Sequence, residues 1–536
     1  MNTADFKTAR RWNAFNRFLQ IIFAISLALS LNYLASRSNL HRRYEIAPSQ
    51  SHALALETRK QIEGVARNVP DNISKESPWV TIYLTLSTNG LATDSKDYAS
   101  VSALLKQLQN LLDDLQFSAA QTGRANWLRI EQTDNLRRAA ILASLQARYP
   151  GIDANTVLVV TCKDRERDRC KIIAFPEIIA MRQGSKEPLF TGEEALASAL
   201  LSVTGEKPPL VYYTTGHREM SPLVPGADGF AKADTSPDGL AKLEDKLNAR
   251  NIRFLPLDLA KVNEVPTDAD LLYLPAPKAA IPPAETEKLR RYMRERNGRM
   301  IAFLNPGAPL GSLEDLFADW GILVQDARVH DLSPDASDAQ ENLLIRVRTP
   351  ADAKDLATIA PDGLRLAFAK ARPVREDPAA PTDDTRRVTR LAATNINPAG
   401  KIVAWGETNY NQPQSTWAYD PVRDLEAPVS VAVVSERAPG MRLNLGSTAG
   451  RLLVIGSGDI ASNDRINSYE NDFFLLNITN WMLDRTQFLG IRPHSMSGFQ
   501  LAATNADLTR VARWFALLPL GALLLGLAVF FWRRNM

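Results

Sequence analysis

The chain has 536 residues, of which 45% are apolar, and 63 Lys and Arg stand against 60 Asp and Glu for a formal net charge of +3. Such a length allows roughly three domains, and the apolar fraction is ordinary for a chain with a sizeable core. No block of like charge forms a basic stripe, which argues against a nucleic-acid partner.

In chain order, the first feature is Phe18 to Ala35, FLQIIFAISLALSLNYLA, which contains no charged residue. It is just long enough to cross a bilayer as a helix. Arg10, Arg11 and Arg17 precede it, and Trp12 and Phe15 suit interfacial anchors. A cleaved signal peptide is the competing reading; the long basic leader and Tyr33, close to any cut after Ala35, count against it. Residues 1–43 are therefore expected to form a cytoplasmic tail and a membrane anchor. Residues 44–78 read as a polar, membrane-proximal connector containing one helix, Ser51 to Val69.

Residues 79–207 are expected to form the first folded domain. WVTIYLTL (Trp79 to Leu86) reads as a strand, Ser100 to Leu115 as a helix, Ala125 to Gln132 as a strand and Leu136 to Tyr149 as a helix. TVLVV (Thr156 to Val160) and KIIAF (Lys171 to Phe175) then flank the charged tip CKDRERDRC, which predicts a β-hairpin, and Phe190 to Glu206 supplies a closing helix. By analogy of element order alone, this is a thioredoxin-like α/β domain. The only two cysteines, Cys162 and Cys170, sit one on each hairpin strand. Facing cysteines there would lie within reach of a disulfide, which would suit an oxidising compartment; two separate thiols are the other reading.

Residues 208–490 alternate short apolar strands with amphipathic helices. Leu210 to Met220, Ala269 to Pro277 and Arg299 to Gly307 read as strands, with helices around Leu240 to Leu247, Ala284 to Arg296 and Leu313 to Trp320 between and after them. Asn297 and Gly298 suit the end of the second helix. This alternation predicts a parallel sheet with helices on both faces, of flavodoxin or glutamine-amidotransferase type, with any ligand at the strand C-terminal ends. Residues 331–425, rich in Asp, Pro, Ala and Thr, read as a large, partly ordered insertion. Val429 to Glu436 and Arg451 to Asp459 resume the strand pattern, and Asn471 to Asp484 reads as a helix packed on the sheet. A second uncharged run, Trp514 to Trp532, followed by Arg533 and Arg534, predicts a C-terminal span within residues 491–536.

The residues from LVYYTTGHREM through PTDADLLYLPAPKAAIPPAETEKLRRYMRERNGRMIAFLNPGAPLGSLEDLFADWGI resemble the periplasmic domain of the auxiliary component of certain ABC transport systems, of which the Gld-type gliding-motility auxiliary proteins are the best-known members. RLLVIGSGDIASND, ENDFFLLNITNWMLD, IRP and the final apolar run continue the resemblance, which covers most of Leu210 to Met536. It implies a non-catalytic accessory subunit in the bacterial inner membrane, with its bulk in the periplasm. It also implies a separate ABC permease and a separate ABC ATPase as partners, with a possible periplasmic or envelope ligand.

The candidates for chemistry are few. His217, Arg218 and Glu219 lie just beyond a strand end, and Asp459 and Asn463 follow Gly-Ser-Gly at another; both groups read as binding loops or as solvated turns. Walker and dinucleotide glycine patterns are absent, and no pair among the five histidines has metal-ligand spacing, so no cofactor and no metal are expected. Neither a Gly-x-Ser-x-Gly elbow nor a cysteine occurs in the second domain. A membrane-anchored extracytoplasmic hydrolase with a site near His217 and Asp459 is the alternative. Asn72 and Asn477 fall in Asn-x-Ser/Thr sequons, but Asn477 lies within a predicted helix, so these carry no weight.

Overall fold

The computed structural model describes Trp12, Ser26 and residues 54–495, apart from 71–72, 74–77, 88–95, 164–167, 181–187, 227–229, 351–353, 395–401, 438–449, 486–493 and a few isolated positions. Both expected spans, 18–35 and 514–532, lie outside the described residues except for Ser26. Among the described residues, no helix is long and apolar enough to cross a membrane. The architecture is mixed α/β, built on two main sheets.

The first sheet takes β1 (Val80–Leu84), β2 (Leu128–Gln132), β3 (Thr156–Lys163) and β4 (Asp168–Ala174) in the order β2-β1-β3-β4. β1 is parallel to β2, whereas β3 is antiparallel to both β1 and β4. All of β3 except Lys163 is buried, which is why TVLVV reads as an unbroken apolar run: both of its faces are covered. The helices are α1 (Leu56–Arg67), α2 (Lys96–Gln121), α3 (Asn135–Arg148) and α4 (Gly192–Thr204). α1, expected as part of a connector, is docked on α4. The Gln61 side-chain amide donates to the Ala197 carbonyl at 2.5 Å, and the Ala55 N–H donates to Glu193 Oε1 at 2.7 Å.

The expected hairpin forms, but the expected disulfide does not. The register sets Cys162 opposite Arg169, and Cys170 opposite Thr161. Successive residues of a strand point to opposite faces, so the two thiols lie on opposite sides of the sheet. Cys170 packs beside Val159, Ile172 and the α3 residues Ile141 and Leu145, while Cys162 is buried from the other side. A symmetrical position around the hairpin tip would be needed to bring them together, and the pairing is displaced from it by one residue.

The second sheet has nine strands: β5 (Leu210–Thr215), β6 (Arg253–Asp258), β7 (Leu271–Pro275), β8 (Arg299–Phe303), β9 (Leu343–Val347), β10 (Arg365–Phe368), β11 (Arg386–Ala393), β12 (Ser430–Arg437) and β13 (Gly450–Ile455). Their spatial order is β6-β5-β7-β8-β13-β12-β11-β9-β10. The half from β6 to β13 is parallel, and every pairing from β13 to β10 is antiparallel. Residues 331–425, expected as an insertion, thus supply β9, β10 and β11 to this same sheet. Ala404–Glu407 instead joins Arg328–Asp331 and Leu425–Glu426 in a separate three-stranded sheet.

Side chains alternate between two cores. Tyr213, Tyr273, Phe303 and Leu453 meet Leu243 and Leu247 of α5 (Ala241–Ala249) on one face; α8 (Asn471–Met482) adds Phe474, Ile478 and Trp481. Leu272, Leu274, Met300 and Val454 face the other way, against Leu289 and Met293 of α6 (Pro283–Glu295) and Phe317 of α7 (Leu313–Asp319). Asn297, just past α6, is left-handed at φ 49°, the conformation expected of a residue that ends a helix.

Two outcomes follow for the cysteines. Titration of the unreduced, denatured full chain should find two reactive thiols; none would mean that the hairpin register differs. Burial pushes the Cys170 thiol up to about 11, so alkylation of Cys170 at neutral pH should be much slower in the folded chain than in the unfolded one.

Candidate functional site

Chain order in the parallel half runs from β5 outward to β6, then back across β5 to β7. A crevice at the C-terminal ends of β5 and β7 is therefore where such a sheet would take a ligand. The loop after β5 carries Gly216 to Met220, and the loop after β7 begins at Ala276. Arg218 at φ 61° and Ala276 at φ 52° adopt left-handed backbone uncommon for residues with a side chain. The two loops are stitched together through the main chain. The Lys278 and Ala279 N–H groups donate to the His217 carbonyl at 3.0 and 3.1 Å, and the Met220 N–H donates to the Pro275 carbonyl at 2.9 Å.

The His217 side chain stands between two carboxylates. Nδ1 is 3.4 Å from Glu219 Oε1, and Nε2 is 3.6 Å from Glu285 Oε2, in the first turn of α6. Glu219 Oε2 accepts the His217 backbone N–H at 2.6 Å. His217 Nδ1, Glu219 Oε1 and Glu285 Oε2 are all buried with no hydrogen-bond partner. Arg218, by contrast, is exposed.

Asp459 and Asn463 are engaged elsewhere. Asp459 Oδ2 accepts the Ala369 and Lys370 N–H groups at 2.6 and 3.2 Å, and Ser457 Oγ contacts Oδ1. Asp459 thereby holds the turn that follows β10. Burial raises its pKa, and the hydrogen bonds from Ser457, Ala369 and Lys370 only partly offset this. Asn463 Oδ1 accepts the Lys242 N–H at 2.8 Å at the start of α5, while its amide donates to the Asp234 and Ser236 carbonyls at 2.6 and 2.8 Å. That leaves little hydrogen-bonding capacity in the side chain for a ligand.

The Gly-Ser-Gly turn is explained by close packing. A Cβ on Gly456 would sit 1.9 Å from the Arg372 carbonyl oxygen; one on Gly458 would sit 2.6 Å from Ala276 Cβ and 2.8 Å from Met220 Sδ. These glycines let the β13 loop rest on its neighbours, and that role needs no phosphate or cation. The five predicted residues thus form two groups on β5 and β13, with β7 and β8 between them. Three strand spacings amount to about 14 Å.

Two residues here escaped the sequence reading. Glu285 lies in the first turn of the helix predicted at Ala284 to Arg296, and no local motif marks it. Arg372 lay in the stretch read as an insertion, yet it is only 2% exposed. Its guanidinium donates to the carbonyls of Gln325, Asn305 and Ala308 at 3.1, 3.3 and 3.1 Å, with Asp326 Oδ1 at 3.9 Å. Burial lowers its pKa. Among the described residues, no cluster of His, Cys, Asp or Glu is arranged to hold a metal ion.

No protein-family model matches the chain, and no curated protein matches it. Among solved structures it is similar to the N-terminal domain of mmIFT52, at 15% identity and a TM-score of 0.34, over 51% of this chain and 97% of that one. A ThuA-like protein from Bacteroides uniformis ATCC 8492 gives 12% identity and 0.28, over 52% and 93%. Exo-beta-1,4-mannosidase Op5Man5 from Opitutaceae bacterium strain TAV5 gives 8% and 0.22, over 80% and 54%. Scores this low carry no argument about fold or activity.

Gly456→Ala should destabilise the full chain by about 3 kcal/mol, at the upper end for overpacking, because the obstacle is backbone; an unchanged melting temperature would contradict the close approach. Asp459 gives a pH test. Its folded pKa lies above its unfolded value of about 3.9, so its contribution to stability is fully present below that pH and is lost as pH rises through the folded pKa. Asp459→Asn, which keeps an acceptor but cannot ionise, should therefore gain stability relative to the wild type as pH rises above about 4. A difference that does not change with pH would contradict the burial of the carboxylate.

Proposed function

We propose that this chain is an accessory subunit of an ABC-type transport system, anchored in the bacterial inner membrane at both ends with its two α/β bodies in the periplasm. Support comes first from the resemblance carried by Leu210 to Met536 and from the two uncharged terminal runs. The periplasmic assignment rests on these alone, since the cysteines do not pair. The first sheet order β2-β1-β3-β4, with β3 antiparallel to its neighbours, favours a thioredoxin-like first body. Strand order β6-β5-β7-β8-β13 favours a flavodoxin or glutamine-amidotransferase-like second body.

The observation that carries the reading is the use of polar groups at the parallel strand ends. Asp459 and Asn463 hold loops, and the His217 carbonyl ties the β5 and β7 loops together. A stiff body of this kind suits transmission of contact between a permease and another component. The permease and the ATPase are the partners in this reading. The hydrolytic alternative draws on His217 standing between Glu219 and Glu285 with atoms that make no hydrogen bond; Asp459, bonded elsewhere, is not part of it.

Affinity purification of the full chain from solubilised membranes should recover a multispan permease and an ABC ATPase with it. Recovery of the chain alone, together with turnover of an ester, phosphate or glycan substrate that His217→Ala abolishes, would overturn the proposal. Cysteine labelling at Asp245→Cys in intact cells tests the topology: access from the periplasmic side is expected, and access only from the cytoplasmic side would contradict it.

A further inference from the structure

The two α/β bodies draw on separate apolar clusters. Both cores of the second sheet take residues from Val211 onward, and the cluster of Leu145, Ile152 and Val159 takes none past Ile172. Where α4 of the first body meets the end of α5 in the second, the groups in contact are polar. Arg250, the residue after α5, places Nε and Nη2 against Glu194 Oε1 in the first turn of α4. One turn further along α4, Ser198 Oγ donates to the Ala249 carbonyl at 2.7 Å.

This ion pair is built with care on both sides. The Arg250 and Glu194 side chains are only 13% and 15% exposed, so removing either partner leaves the other charge poorly compensated. A cation suits the C-terminal end of α5 and an anion suits the first turn of α4, so the pair also complements both helix dipoles. The second body fixes Arg250 from its own side. Arg250 Nη1 donates to the Lys246 carbonyl at 3.0 Å, and Arg485 Nη1 donates to the Arg250 carbonyl at 3.0 Å.

The surroundings permit the contact to open. A cavity of about 430 Å³ lies beside the pair, with walls from both bodies. A contact that is polar and incompletely filled allows domains to move, whereas a large apolar one holds them rigid. The connection between the bodies is suited to a hinge. α4 ends at Thr204, and the exposed Gly205 after it is left-handed at φ 107°. The chain is secured again at Pro209, whose carbonyl accepts the Arg253 N–H at 3.0 Å. Glycine enters and leaves left-handed backbone without steric cost, as a hinge position requires.

We propose that the Glu194–Arg250 pair, with Ser198, is a latch that holds the two bodies closed, and that its release lets them swing apart about Gly205. The latch does not rest on the transport reading and survives its failure.

Double electron–electron resonance on the purified full chain tests this. Nitroxides at Ala103→Cys on α2 and Arg291→Cys on α6, both exposed positions, report the distance between the bodies, with Cys162→Ala and Cys170→Ala removing the native thiols. The chain with its latch intact should give one narrow distribution. Glu194→Gln and Arg250→Gln should each raise the population outside it roughly tenfold, the loss expected for one charged hydrogen bond. The double variant should raise it no further than either single one, because both remove the same contact. A label pair within the second body, Arg291→Cys and Arg390→Cys, should not change, which separates opening from misfolding. Ser198→Ala, which removes no charge, should raise the open population less, and it carries the test if a Gln variant disturbs the fold. Distributions unchanged in the variants, or additive effects in the double variant, would overturn the proposal.

Discussion

Four aromatic rings crossing the parallel strands are the contact on which the second body depends. Tyr213, Phe254, Tyr273 and Phe303 come from β5, β6, β7 and β8. Their ring centroids lie 4.6, 5.4 and 5.7 Å apart in successive pairs. Rings at such distances contribute about 0.5–1.5 kcal/mol per pair beyond their burial. They also level the face on which α5 and α8 pack, where the Tyr273 hydroxyl meets Thr479 Oγ1 at 2.5 Å. With α6 and α7 on the opposite face, the middle strands are buried from both sides: every residue of β7 is inaccessible, as are all but the first of β8. A parallel sheet is stable only under such two-sided cover.

The same demand shapes the rest of the sheet. Beyond β13 the chain continues the ladder antiparallel through β12, β11, β9 and β10, so the parallel half has no open edge at β13 to pair with another chain. At the strand C-terminal ends the loops are drawn down onto one another. Gly456 permits the approach to Arg372, Gly458 permits that to Ala276, and Arg372 closes the carbonyls beyond β8. Residues that looked chemically promising in isolation are members of this closure. His217 differs from them: it stands between the Glu219 and Glu285 carboxylates, and its Nδ1, Glu219 Oε1 and Glu285 Oε2 make no hydrogen bond.

Much of the architecture was legible because burial leaves a periodic trace. The runs around Leu210, Leu271, Met300 and Leu452 became strands of one sheet, and the order of elements in the first body was readable from alternating strand and helix patterns. What escaped depends on register and on distant partners. A shift of one residue in the β3–β4 pairing turns Cys162 and Cys170 away from each other, and nothing in CKDRERDRC reveals that shift. Asn342 to Arg348 and Leu364 to Ala369 read as strand-like and became β9 and β10, but the Asp-, Pro- and Ala-rich segments around them and around β11 made residues 331–425 look like an insertion and not part of the main sheet. The exposed arginines on β11 further hide its apolar face. The site residues were found by their position after strand ends, which predicts location correctly but not what each side chain bonds. Asp459 meets backbone from residues 369 and 370, and Asn463 meets Lys242, at sequence separations that no local pattern encodes.

The C-terminal edge of the parallel sheet is a closed structural surface. Amide hydrogen exchange on the full chain measures this directly, because protection reports local opening. The Met220, Lys278, Ala279 and Gly458 N–H groups, each bonded within this edge, should exchange nearly as slowly as the core of β7 and β8. Exchange of these four at the rate of exposed loops would contradict it.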